Sequence, residues 1–336
     1  MAILWIKINR GLKLVSKIDY ISCCEFEGDD DLDILKGLES TVQKKINSKY
    51  FYDKKGSMLF EKITKLKDYY PTKTELEILV DQKKTIAKYL PENSVVIEFG
   101  SGSHKKIIKL LNILKNPKEY ISIDISKDFL FQNAKDLSIK LPEIKIKAIC
   151  ADFNNSVQLK KNILTTNTKI GFFPGSTIGN YNPEDAKELL RKFSKILGKN
   201  NYLLIGVDLK KKKEVLEKAY NDSEGITAQF NKNILNGINK KYGTVFDLKN
   251  YKHLAFFNSK RNRIEMHLVS KKDHSIKLLN QNIFFEDGET IHTENSYKYS
   301  INQFVELISG AGYKLIKSFT DKKKYFAIFL LKVVNR

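Results

Sequence analysis

Between Ser94 and Leu209 the chain alternates short apolar runs with amphipathic segments, and this rhythm limits the fold more than any other feature. "SVVIEFG" reads as a buried strand, and "EYISIDIS", "IKIKAICADF" with its period-two alternation, "TKIGFFPGSTIGN" with its loop attached, and "NYLLIGVDL" read as four more strands. Helical spacing fills Lys105–Leu114, Lys127–Lys140 and Pro183–Leu197 between them. Strand–helix alternation of this length predicts a parallel, doubly wound α/β sheet. Right-handed crossovers then gather the strand C-terminal ends on one edge.

The rhythm stops after Asp208. Residues 210–243 read as helical, and Phe246 to Ser296 as strand-like, with "RIEMHLVS" alternating. "YKLIKSFTDKKKYFAIFLLKVV" reads as two antiparallel strands. Upstream, Leu32, Leu35, Leu38, Val42 and Ile46 have helical spacing, and Gly56 and Ser57 form a turn before a second helix. Thr72 and Glu75 match a capping box, which opens a helix through Leu76, Leu79, Ile86 and Leu90. A second region is therefore expected, inserted into or wrapped around the sheet.

Composition excludes several classes. No apolar run approaches the roughly 18 residues of a membrane span. The longest one near the N-terminus, Ala2 to Ile6, is too short for a signal-peptide core. A cytoplasmic protein with no membrane partner is expected. Cys23, Cys24 and Cys150 have no metal or disulfide spacing, and the 5 histidines form no HExxH pattern, so free thiols and no metal are expected. The net charge of +20 suggests a nucleic-acid partner. However, almost all of the 59 basic residues are lysines, spread along the chain, whereas phosphate readers favour the bidentate arginine fork. Solvated lysine-rich faces and no nucleic acid are the expectation, with a basic RNA-binding module as the reading it displaces.

The chemistry concentrates in "EFGSGS", where a strand gives way to a helix. Gly100 and Gly102 allow backbone to approach a ligand, but the third glycine of a dinucleotide fingerprint is missing. Asp124 ends the second strand, placed to accept from ribose hydroxyls, and Asp152 with Phe153 ends the third, placed to meet the amino group and the ring of an adenine. Glycine turn, ribose acid and adenine acid suit S-adenosylmethionine. A nicotinamide is the competing ligand, disfavoured by the missing glycine and by the "DF" pair.

From about Lys49 onward the chain also resembles the histidine-specific Nα-methyltransferases of ergothioneine biosynthesis. The resemblance rests on "YFYDKKGSMLFEKITKLKDYYPTKTE", "EFGSGS", "GSTIGN", "GVDLKK", "AYND", "TAQFNKNIL", "RIEMHL" and "TENSYKY". It implies a Rossmann-like class I methyltransferase domain, 74–208 with 299–336, and an α+β substrate-binding domain, 21–73 with 209–298, leaving 1–20 as an N-terminal extension. It implies three methyl transfers from S-adenosylmethionine to the α-amino group of L-histidine, giving hercynine; a monomer is the default expectation for the oligomeric state. Cofactor residues carried over by the resemblance are Gly100, Lys106, Asp124, Asp152 and Phe153. Asn180 and Tyr220 match the substrate-carboxylate positions, and Tyr52 matches the residue near the amino group, the one catalytic candidate. Phe60, Tyr69, Met266, Glu294 and Ser296 match the imidazole pocket. A relative acting on tryptophan or tyrosine is the nearest alternative.

Overall fold

The computed structural model describes residues 2–8, 11–23, 29–102, 104–153, 156–163, 165–244 and 246–334. Strands β1 (Ala2–Ile8) and β2 (Gly11–Ser22) open the chain. They are followed by α1 (Asp29–Glu39), the short strand β3 (Lys44–Lys45), α2 (Lys54–Ile63), α3 (Tyr70–Asp81) and α4 (Lys83–Tyr89). The alternating stretch then supplies β4 (Val95–Phe99), α5 (Lys105–Ile113), β5 (Glu119–Asp124), α6 (Lys127–Lys140) and β6 (Lys145–Cys150). It continues with α7 (Ser156–Asn162), β7 (Lys169–Phe173), α8 (Pro183–Leu197) and β8 (Tyr202–Asp208). Helices α9 (Lys213–Tyr220) and α10 (Ile226–Tyr242) lead into β9 (Tyr251–Asn258), β10 (Arg263–Ser270), β11 (His274–Leu278), β12 (Gln281–Phe285) and β13 (Thr290–Tyr297). The chain closes with α11 (Ile301–Ser309), β14 (Tyr313–Thr320) and β15 (Phe326–Val333).

The large sheet has the order β1-β2-β6-β5-β4-β7-β8-β15-β14. Strands β6, β5, β4, β7 and β8 run parallel, as the alternation predicts. β15 enters antiparallel beside β8 and pairs with β14 in the expected hairpin. All five positions of β4 are buried, as befits a strand covered on both faces. Two hydrophobic cores flank the sheet, one around Phe99, Phe173 and Phe193, the other around Leu79, Ile107 and Phe172. Chain order reverses at β4, with β5 on one side and β7 on the other, and ligands of open α/β sheets bind at such a switch point.

A second sheet, β3-β13-β10-β9, carries its own core, built from Ile34, Phe51, Phe230, Met266 and Ile291 among others. The two sheets are joined by β13. Its end passes into Tyr299, which bridges Leu209 just after β8. A Cβ on Gly179, in the loop after β7, would meet the Tyr297 carbonyl at 2.9 Å, so the glycine allows this close approach.

Some sequence expectations fail for local reasons. α1 stops at Glu39 instead of running to residue 48; Val42 is 95% exposed and Lys44–Lys45 joins the second sheet. Gly56 and Ser57 lie inside α2, whose cap is Asp53, accepting from the Gly56 N–H at 2.6 Å. Thr72 caps nothing: α3 already starts at Tyr70, with Pro71 in its first turn, and Glu75 is engaged elsewhere. The helix expected to reach Leu90 breaks at Gln82. Residues 1–20 are not all outside the fold, since β2 pairs parallel with β6 from Ile18 onward. Cys23 and Cys150 are free thiols, with burial raising the Cys23 thiol above its ordinary range, while Cys24 lies outside the described residues. Among the described residues no helix is long and apolar enough to cross a membrane.

Candidate functional site

A cleft of about 1050 Å³ opens at the C-terminal ends of β4, β5 and β7 and extends to β13. Gly100 leaves β4 with a φ of +74°, a conformation that costs an L side chain dearly. A Cβ there would also press on the Phe153 ring at 3.4 Å, whereas Gly102 faces open space. Phe153 is held edge-on by Phe173 and Phe193, so its ring is fixed at the rim beside exposed Asp152. Asp124 ends β5, accepting from the Ser126 N–H at 2.8 Å, and burial pushes its carboxyl up to about 7. Glu98, buried within β4, is bonded by the Tyr120 hydroxyl, and burial raises it to about 8, so it holds a proton at neutral pH.

Lys106, on α5, forms an ion pair of 2.5 Å with Glu75. Glu75 is fully buried and also accepts from the Gly175 N–H at 2.9 Å. One carboxylate thus ties α3 to α5 and to the loop after β7. Gly206 on β8 makes room for it: a Cβ there would stand 2.0 Å from Glu75 Oε1.

The other end of the cleft narrows into a chamber walled by Tyr52, Phe60, Tyr69, Tyr220 and Met266. Met266 on β10 is paired in register with Glu294 on β13. Period-two alternation brings Ser296 to the same face as Glu294. Burial pushes the Glu294 carboxyl up to about 7 against the opposing pull of Lys298 and of the Asn180 amide, which donates to it at 3.2 Å. The Tyr220 hydroxyl donates to Ser296 Oγ at 2.8 Å. Tyr52 and Phe60 meet edge to face at 6.0 Å, and Phe60 and Tyr69 at 6.3 Å. Burial, and after it the nearby Glu294 for Tyr52 and the nearby Tyr220 for Tyr69, raises both phenols well above their ordinary range. Neither is a base at neutral pH.

All thirteen residues singled out in the sequence line this cleft or its chamber. The sequence reading missed the buried polar network beneath them. Lys298 reaches Ser296 Oγ at 2.7 Å and Asp208 at 2.7 Å, and Asp208 also accepts from Lys211 at 2.5 Å and from Tyr70 at 2.7 Å. Two lysines in a lysine-rich chain carry no signal by type. The one available hint was Asp208 itself, an acid at the end of an apolar strand.

Glu265, His267 and His292 offer ligand atoms within 4.8 Å of one another. They make a poor coordination shell. The two imidazoles stack at 4.6 Å with planes only 11° apart, so their lone pairs lie in nearly parallel planes, and Glu265 is ion-paired with Arg263 at 2.7 Å.

A switch-point cleft with a glycine turn, a strand-end carboxylate and an adjoining polar-floored chamber defines a class I methyltransferase. The family pattern described as "histidine-specific methyltransferase, SAM-dependent" matches residues 30–333, and the chain belongs to that family. It is 33% identical to a histidine N-alpha-methyltransferase of Mycolicibacterium smegmatis over 303 residues, covering 89% of this chain and 93% of that one. It is 32% identical, with the same coverage, to a histidine N-alpha-methyltransferase of Mycobacterium tuberculosis. An ergothioneine biosynthesis protein 1 of Neurospora crassa shares 29% identity over 82% of this chain and 32% of its own length.

Proposed function

We propose that the protein methylates the α-amino nitrogen of L-histidine three times, giving hercynine, the first step of ergothioneine biosynthesis. The observation that carries this reading is the Glu294 carboxylate, half-buried opposite Met266 and beside Ser296 in a chamber that opens onto the cofactor cleft. An acceptor between aromatic walls favours a ring that bears an N–H, and leaving it unpaired costs about 1–3 kcal/mol. The mycobacterial relatives, named for histidine methylation, support the same reading.

The residues fit an adenosyl group. The Gly100 turn lets backbone approach it, Asp124 accepts from the ribose hydroxyls, and Asp152 with the fixed Phe153 ring flanks the adenine. Lys106, steadied by Glu75, faces the donor's amino-acid end. When bound, S-adenosylmethionine supplies an electrophilic methyl on a sulfonium that leaves as a neutral thioether. Asn180, with one amide N–H left after Glu294, holds the substrate carboxylate, and Glu294 and Ser296 hold the ring; Tyr220, whose one O–H goes to Ser296, walls the chamber beside them. Tyr52, kept protonated, orients the amine, which gives its proton to water before its lone pair attacks. A nitrogen–carbon bond forms as the carbon–sulfur bond breaks, so in-line placement supplies most of the catalysis. The edge-to-face set of Tyr52, Phe60 and Tyr69 suits the fixed cation left by the third transfer, because aromatic faces attract quaternary ammonium groups.

Mass spectrometry of L-histidine incubated with the protein and S-adenosylmethionine tests this directly. Successive products with one, two and three added methyl groups are expected. Methylated tryptophan or tyrosine, with histidine untouched, would overturn the reading.

A further inference from the structure

The floor of the chamber holds a cation that these roles leave unused. Lys298 is fully buried. An ammonium group has three N–H donors and no acceptor. Here all three are spent, on Asp208 at 2.7 Å, Ser296 Oγ at 2.7 Å and Tyr220 Oη at 3.3 Å. Ser296 Oγ therefore receives one hydrogen bond from Lys298. It receives a second at 2.8 Å from Tyr220, whose oxygen already accepts from Lys298 and whose O–H points to Ser296. Both lone pairs of Ser296 are then occupied, and only its O–H remains to face the chamber. Ionised Glu294, on the same face, can only accept.

We propose that Lys298 is a positioning residue that fixes Ser296 as a hydrogen-bond donor, so that the chamber admits an imidazole in its neutral form, with the ring N–H on Glu294 and the ring lone pair on Ser296. This rests on the histidine reading above and adds to it a protonation state and an orientation. An imidazolium carries an N–H on both nitrogens. One of them would meet the Ser296 hydrogen, with the Lys298 ammonium directly behind it.

The charged and titratable groups facing the ring come from several elements. Glu294 belongs to β13 and Lys298 follows it. Asp208 ends β8 and Lys211 follows it, behind Lys298. Tyr220 ends α9, and Tyr52 and Tyr69 precede α2 and α3. Burial holds these three phenols above their ordinary range, so they stay neutral as the pH is lowered. Among the described residues that leaves Glu294, Asp124 and Glu98 in the adjoining cleft, and Lys211 behind Lys298 to titrate between about 7 and about 8, beside the ligand's own ring.

The test compares L-histidine with its 1,2,4-triazole analogue, whose ring stays uncharged over the same range. Both are titrated calorimetrically into the full-length protein with S-adenosylhomocysteine, from pH 8 to pH 5. The protein groups that titrate in this range, Glu294, Asp124, Glu98 and Lys211, do so with either ligand, so they cancel in the ratio of the dissociation constants. In the native protein the histidine-to-triazole ratio is expected to climb about tenfold for each pH unit below about 6.5. In Lys298→Met, where Asp208 keeps Lys211 and Tyr70, a lone pair of Ser296 is released to accept a ring N–H, and the ratio flattens. Ser296→Ala, which removes the donor, flattens it too and decides the matter if Lys298→Met does not fold. A flat ratio in the native protein, or a climb that persists in the variants, overturns the proposal. If neither ligand binds at pH 8, the histidine reading itself fails, and the two failures are told apart.

Discussion

Replacing Glu294 with glutamine probes the centre of the functional reading. The change keeps the shape of the side chain and removes the charge. A charge-assisted hydrogen bond is worth about 1.5–3 kcal/mol. At about 1.4 kcal/mol per decade, the dissociation constant for histidine should rise roughly 10- to 150-fold at pH 8. The native carboxyl is ionised at pH 8 but, with its pKa at about 7, largely protonated at pH 5.5, so the penalty should shrink as the pH falls. Affinity for S-adenosylhomocysteine should hold within about twofold, the range of a change outside its contacts. Stability should move the opposite way to affinity. The folded pKa lies above the ordinary 4.5, so the folded protein binds this proton more tightly than the unfolded chain does, and stability from this group declines as pH rises from 4.5 through about 7. The cost at pH 8, the gap between 4.5 and about 7 at about 1.4 kcal/mol per pH unit, is on the order of 3 kcal/mol, and Glu294→Gln relieves it. The ligand-free variant should therefore melt above the native protein at pH 8, with little difference at pH 4. Calorimetry at two pH values and thermal melts read all of this. Equal losses for both ligands, or a histidine penalty that does not change with pH, would refute the reasoning.

Asp124→Ala should weaken S-adenosylhomocysteine binding about 10- to 100-fold and leave the chamber intact, as calorimetry with each ligand would show. Glu75→Gln leaves Lys106 without its buried anion and should cost about 3–5 kcal/mol in a denaturant melt, with cofactor affinity falling alongside. Gly206→Ala drives a methyl into Glu75 and should cost about 1–3 kcal/mol. Much of that cost should disappear in a Glu75→Ala background, because the two residues share one space.

The sheet was legible because its strands are short apolar or alternating runs and its helices amphipathic, so local pattern and tertiary role agree. α6 and α8 fall within the limits their spacing predicts. Expectations failed where a distant partner took over a locally suggestive residue. Glu75 has the right spacing for a capping box, but Lys106 and the Gly175 N–H claim it. The helix through Val42 has the right period, but β13 recruits the following residues as a strand. The glycine turn and the strand ends point to Gly100, Asp124, Asp152 and Phe153 by themselves, whereas the family resemblance supplied the chamber residues; periodicity alone places Phe60 and Met266 in an ordinary core. Lys298 was invisible because its importance lies in burial, which a sequence rich in solvated lysines conceals.

The attachment of β13 has a mechanical consequence. Beyond the bridge from Tyr299 to Leu209 the strand pairs along its length with β10, out to Thr290 opposite Val269, and with β3 at that far end, so it moves with the second sheet. In any flexing between the sheets displacement then grows with distance from the bridge. Lys298 sits beside the bridge and Glu294 further out. Closure over ligands would swing the gripping carboxylate and leave the ammonium nearly still, so hydrogen exchange should slow more near Thr290 than near Tyr299 when both ligands bind.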